Sequence, residues 1–130
     1  MKYAYTILYV DNVTETIEFY KEAFGLEKKF VTPENNYGEL ISGETIIAFA
    51  SFEFGISNFK KGFEKIDKKK KPFGVEMAFT TESIETDFKK AIDAGATEFE
   101  PLVEKPWGQK VGYVIDNNGF LIEICTPIKN

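Results

Sequence analysis

The stretch "YTILYVDNVTETIEFYKEAF", residues 5–24, recurs in outline as "EMAFTTESIETDFKKAIDAG", residues 76–95. The two align without a gap, and the alignment decides the fold. Each opens with a short alternating strand, Tyr5 to Val10 and Glu76 to Thr81, whose successive side chains face opposite sides. Each then reaches a polar pair of helix-cap type, Asp11-Asn12 and Glu82-Ser83. Apolar stripes at spacings of four, three and four follow: Val13, Ile17, Tyr20 and Phe24 against Ile84, Phe88, Ala91 and Gly95. That spacing marks one buried helical face in each copy. Gly25 and Gly95 are expected to end the two helices.

The correspondence continues downstream. "YGELISGETIIAFAS", residues 37–51, reads as two strands joined at Ser42-Gly43-Glu44, and "GYVIDNNGFLIEICT", residues 112–126, as the same hairpin turning at Asp116-Asn117-Asn118-Gly119. With a weak strand before each hairpin ("LEKKFV" and "ATEFEP"), each half reads β-α-β-β-β. The predicted organisation is a single domain of class α+β: module one over residues 1–54, a polar linker over 55–73, and module two over 74–130. One sheet with one helix leaves a sheet face open, and a half of this size buries too little surface to stand alone. The mixed sheets are therefore expected to curl and enclose a cavity, with the modules paired in one chain or exchanged between chains.

Composition narrows the chemistry. The 130 residues contain no histidine, so metal sites built on imidazole and Ser-His or Cys-His nucleophiles are excluded. All 16 basic residues are lysines, which removes the planar fork that grips phosphate bidentately. The net charge of −5 disfavours nucleic acid and favours cationic or neutral small molecules. The run Lys68 to Lys71 reads as a solvated connector. No apolar run approaches the ~18 residues of a membrane span. The start "MKYAYTILYVDN" lacks a signal-peptide pattern, and the single Cys125 suits a reducing compartment, so a cytoplasmic location is expected.

The paired β-α-β-β-β pattern, "YVDNVTETIEFYKEAFGLE" near the start and "PWGQKVGYVIDNNGFLIEICTP" near the end, resemble the vicinal oxygen chelate superfamily. That superfamily includes glyoxalase I, extradiol dioxygenases, and the fosfomycin and bleomycin resistance proteins. The resemblance covers essentially the whole chain and implies the glyoxalase/bleomycin-resistance-like fold, commonly a homodimer. In metal-dependent members four ligands stand on corresponding strands. The resemblance carries those positions onto Tyr5, Glu76, Glu123 and Ala48, or Ile47 if the hairpins slip by one residue. Alanine and isoleucine cannot ligate, and a phenol with a pKa of about 10 ligates weakly. These departures argue against glyoxalase I and extradiol dioxygenase chemistry, and no tightly bound metal or other cofactor is expected.

The expected function is binding of a small cationic or aromatic molecule in an acidic, aromatic cavity. Its candidate lining is Tyr5, Ile7, Tyr9, Ala48, Glu76, Trp107, Tyr113 and Glu123, with Tyr37 as a further ring. The alternative is a lyase or isomerase using Glu76 and Glu123 as acid and base, with or without a weakly held divalent metal. For Glu123 a plainer role is open, as an acid paired with Lys110, Tyr5 or water. Trp107, likewise, could simply build a Pro-Trp-Gly turn. With no histidine or arginine in the chain to lower its pKa, Cys125 reads as an inert buried thiol.

Overall fold

A computed structural model describes residues 1–128. The chain divides into two compact units, Met1–Ile66 and a second beginning at Asp67. The first contains β1 (Thr6–Val10), α1 (Val13–Phe24), β2 (Glu27–Val31), β3 (Tyr37–Ser42), β4 (Thr45–Ser51) and α2 (Phe52–Asn58). The second contains β5 (Glu76–Thr80), α3 (Ile84–Asp93), β6 (Thr97–Glu104), β7 (Lys110–Ile115) and β8 (Leu121–Cys125). Both sheets are mixed and have the same order, β1-β4-β3-β2 and β5-β8-β7-β6, so the β-α-β-β-β repeat is present twice.

In each unit the helix covers one sheet face. Val13, Ile17 and Tyr20 of α1 are fully buried with Leu40 and Phe49, and the rings of Tyr20 and Phe49 lie 5.0 Å apart. Ile84, Phe88 and Ala91 of α3 are buried, as are Val114, Ile122 and Ile124 on the sheet. Gly38 and Gly112 hold equivalent register positions, opposite Phe49 and Ile124. A side chain at either would press on the helix: a Cβ would stand 3.1 Å from Val13 Cγ1 or 2.7 Å from the Phe88 ring. The weak strands β2 and β6 are sheet edges, largely exposed, with shifts in their registers.

The helix ends differ. Asn12 caps α1, its side chain accepting from Glu15 N, and Gly25 closes it in the left-handed conformation at φ 69°. At α3 the Ser83 side chain makes no cap bond; Thr81 Oγ1 accepts from Ser83 N and donates to Asp87. That helix stops at Asp93, with Ala94 still right-handed and Gly95, at φ 119°, lying beyond.

The segment read from sequence as a polar linker is partly core. α2 begins just before it and runs into it, capped by Ser51 Oγ accepting from Phe54 N at 3.1 Å. The Tyr9 ring centroid lies 4.9 Å from that of Phe63 and 5.8 Å from that of Phe59. Gly55 makes this possible, because a Cβ there would sit 2.8 Å from both Tyr9 and Phe63. The lysines between these aromatics hid the cluster. Module one thus runs on through Ile66, while Lys68 lies against Gly119 of module two.

Candidate functional site

The helix-free face of the second sheet is set by register. Ala78, Glu123 and Tyr113 stand side by side on β5, β8 and β7, with Glu76, Leu121 and Cys125 on the same faces of their strands. Glu123 therefore points away from α3 and is half-buried. The Tyr113 hydroxyl, directly across the antiparallel pair, donates to Glu123 Oε1 at 3.0 Å. Lys110, weighed from sequence as a partner for Glu123, instead pairs with Glu85 at 2.5 Å. Its strand parity sends it to the other side of β7. Among the described residues, none of the ion pairs involves Glu76 or Glu123.

The carboxylates impose their charge on this face. Glu76 is exposed, yet partial loss of hydration, and then the charge of Glu123, raise its pKa above the usual carboxylate value. Tyr113 is pushed up to about 12 by burial and by its bond to Glu123. Cys125 is pushed up to about 11 by burial and then by Glu123. Its thiol is buried and donates to the Phe79 carbonyl at 3.7 Å.

Two expected results follow from this electrostatic field. A disulfide reagent should label native Cys125 slowly near neutral pH, because the thiolate is the nucleophile. Glu123→Gln should speed labelling without loss of structure, and an unchanged rate would place the thiol outside the influence of Glu123. A raised carboxylate pKa means that ionising Glu76 costs stability: the favourable contribution is complete below the unfolded pKa and is lost as pH rises through the folded one. Glu76→Gln should thus raise Tm at about pH 7 and leave it unchanged at about pH 3. Equal shifts at both would show that the gain is not electrostatic.

Module one presents the same face with a different acid. Ala48 lies beside Ile7 on β1 and Glu39 on β3, as Glu123 lies beside Ala78 and Tyr113. Register thus fixes Ala48, not Ile47, as the counterpart of Glu123. Glu39 is a site residue that sequence reading missed, although alternation from Tyr37 places it on this face. It accepts from the Tyr37 hydroxyl at 2.6 Å and pairs with Lys29 at 3.4 Å. Burial, then Glu39, raise the Tyr37 pKa further above its usual value. Tyr5 and Ile7 are exposed, Ala48 is fully buried, and Tyr9 is packed beneath α2 and Phe63. Glu39 on this face of module one has a cation; Glu76 and Glu123 in module two have none among the described residues.

The four positions singled out as metal ligands hold a phenol, a methyl group and two carboxylates, one of which already accepts from Tyr113. Among the described residues, no three His, Cys, Asp or Glu side chains converge as a metal-binding group. This donor set does not fit Zn²⁺ or Ni²⁺, which favour nitrogen and sulfur.

Trp107 lies elsewhere in module two. It lines a groove of about 380 Å³ with Glu82, Glu104, Gln109, Lys110 and Ile128, and neither Glu76 nor Glu123 reaches it. No helix among the described residues is long and apolar enough to cross a membrane.

Residues 3–129 match the family described as a glyoxalase-like domain. No curated protein sequence matches this chain. Among solved structures, a glyoxalase-related enzyme from Fulvimarina pelagi is similar at a TM-score of 0.80 and 18% identity, over 98% of this chain and 88% of that one. A glyoxalase/bleomycin resistance protein/dioxygenase family enzyme from Burkholderia phytofirmans PsJN aligns at a TM-score of 0.76 and 19% identity, over 95% and 96%. A member of that superfamily from Sphaerobacter thermophilus DSM 20745 aligns at 0.70 and 20%, over 98% of each chain.

Proposed function

This chain belongs to the glyoxalase-like family, within the vicinal oxygen chelate superfamily, and from that premise we propose that it binds a small cationic or aromatic molecule without a tightly held metal. The fold hosts several chemistries, so the reading must rest on the site. One observation carries it: Glu123 and Glu76 share a sheet face, and the hydrogen-bonding partners seen for these side chains among the described residues, the Tyr113 hydroxyl and the Cys125 thiol, are neutral. Two carboxylates held together without a cation favour a ligand that brings one. Tyr113 fixes one oxygen of Glu123, leaving the other for a positively charged or N–H donor group. Leu121 and Ala78 supply apolar surface beside it.

The test is a thermal-shift screen of aromatic amidines and ammonium compounds against their uncharged analogues, alongside divalent metals. The expected result is stabilisation by the cations alone, in the presence of chelator. A stoichiometric metal ion held by Glu76 and Glu123 in protein purified without chelator would contradict it.

The raised pKa of Glu76 beside Glu123 supports a second reading, a lyase or isomerase in which one acid is protonated and the other ionised. In that case turnover, with or without a weakly held divalent metal, should vanish in both Glu76→Gln and Glu123→Gln. Binding without turnover in the parent protein favours the first reading.

A further inference from the structure

The groove holding Trp107 has a chemistry of its own. It opens where the loop from β6 to β7 passes the end of β8, and its volume of about 380 Å³ suits a small organic molecule. Trp107 is 64% exposed, an unusual position for the chain's one tryptophan. It is also tethered. Its Nε1–H donates to Gln109 Oε1 at 2.8 Å, and Gln109 Nε2 in turn donates to the Thr126 carbonyl at 2.8 Å. The loop itself is closed by Lys105 N to Gln109 O and Gly108 N to Lys105 O. The indole is thus held with its polar edge engaged, so what it offers a ligand is its π face.

The charges around the indole are negative. Glu82 and Glu104 line the groove, and neither takes part in an ion pair among the described residues. Lys110, the one cation of the lining, is drawn to Glu85 at 2.5 Å. The cation–π contact found among the described residues is that of Lys65 over Phe52, in the other module. Pro127 and Ile128 add apolar wall. A fixed aromatic face, two carboxylates against a single lysine that is itself paired with Glu85, and an apolar wall together complement a compact alkylammonium ion. Such an ion is attracted by the ring quadrupole and by the acids, while its methyl groups can meet the apolar wall.

We propose that the Trp107 groove of module two is a second binding site, distinct from the Glu123 face, for a small organic ammonium ion of the quaternary type. Tight binding is not required of it; the open groove and solvated acids suit a low-affinity site.

Choline serves as the probe, because the single tryptophan makes intrinsic fluorescence a direct report from the groove. Titration of the intact protein with choline chloride, at ionic strength balanced with sodium chloride, should change Trp107 emission saturably. The neutral tert-butyl isostere of choline should not. Glu104→Gln and Glu82→Gln should each weaken the response about threefold, whereas Glu123→Gln should leave it unaltered. The last arm separates this site from the one proposed above, since each can fail alone. A linear, non-saturating response, an equal response to the neutral isostere, or wild-type affinity in both glutamine variants would overturn the proposal.

Discussion

Asp116→Ala is expected to lower the stability of the fold by about 3 kcal/mol. Asp116 is 3% exposed, and its Oδ1 accepts from three successive backbone donors: Asn118 N at 2.9 Å, Gly119 N at 2.8 Å and Phe120 N at 2.8 Å. The turn between β7 and β8 is therefore built around one carboxylate oxygen, closed on the other side by Asp116 N donating to the Phe120 carbonyl at 3.0 Å. Alanine leaves buried N–H groups with no acceptor, and an unmade buried hydrogen bond costs about 1–3 kcal/mol. Asp116→Asn keeps the acceptor but not the charge, so it should lose about half as much. Urea unfolding checks both, and an alanine cost below about 1 kcal/mol would mean that water replaces the carboxylate.

Gly119→Ala should be of similar size, for two separable reasons. At φ 116° the residue occupies a region that side chains rarely enter, worth about 1–3 kcal/mol of strain. A Cβ there would also stand 2.8 Å from Lys68 N and 2.9 Å from Lys68 Cα, and backbone yields less readily than a side-chain tip. Gly43, in the equivalent turn of module one, is the internal control. Its φ is 58° and a Cβ would meet nothing within 4 Å, so Gly43→Ala should cost only the left-handed penalty of about 1–2 kcal/mol. Equal losses at the two glycines would show that the Lys68 backbone gives way freely.

These two turns also show what was legible in the sequence. The repeat, both helices, the hairpins and their order could be read because local signals agreed with one another: alternation, stripe spacing and turn residues. The aromatic cluster of α2 was not legible, because Phe59 and Phe63 lie among lysines in a segment whose composition is that of a connector, and only Gly55 betrays a close approach. The cap position of α3 falls on Ser83 as read, but its side chain makes no cap bond, and the Thr81 hydroxyl accepts from Ser83 N just before the helix.

The candidate site divides along the same line. Alternation set Glu76 and Glu123 on the sides of their strands away from the helix, and the register stands Tyr113, named in the sequence only as a ring, directly across from Glu123. Alternation could not say that Lys110 turns to Glu85, or that Tyr113 supplies the hydrogen bond, because side-chain partners across strands depend on register. Glu39 was passed over because it is opposite Ala48 rather than at it. Trp107 was grouped with the acids on composition, and its tether to Gln109 puts it in a groove of its own.

The most direct test of the proposed binding face is calorimetric titration, in the presence of chelator, of an aromatic amidine into the parent protein, Glu123→Gln and Glu104→Gln. Binding should persist in Glu104→Gln and weaken about tenfold or more in Glu123→Gln, the loss of a charge-assisted contact. Unaltered affinity in Glu123→Gln, with the fold intact, would contradict the assignment of Glu123 as the group that receives the cation.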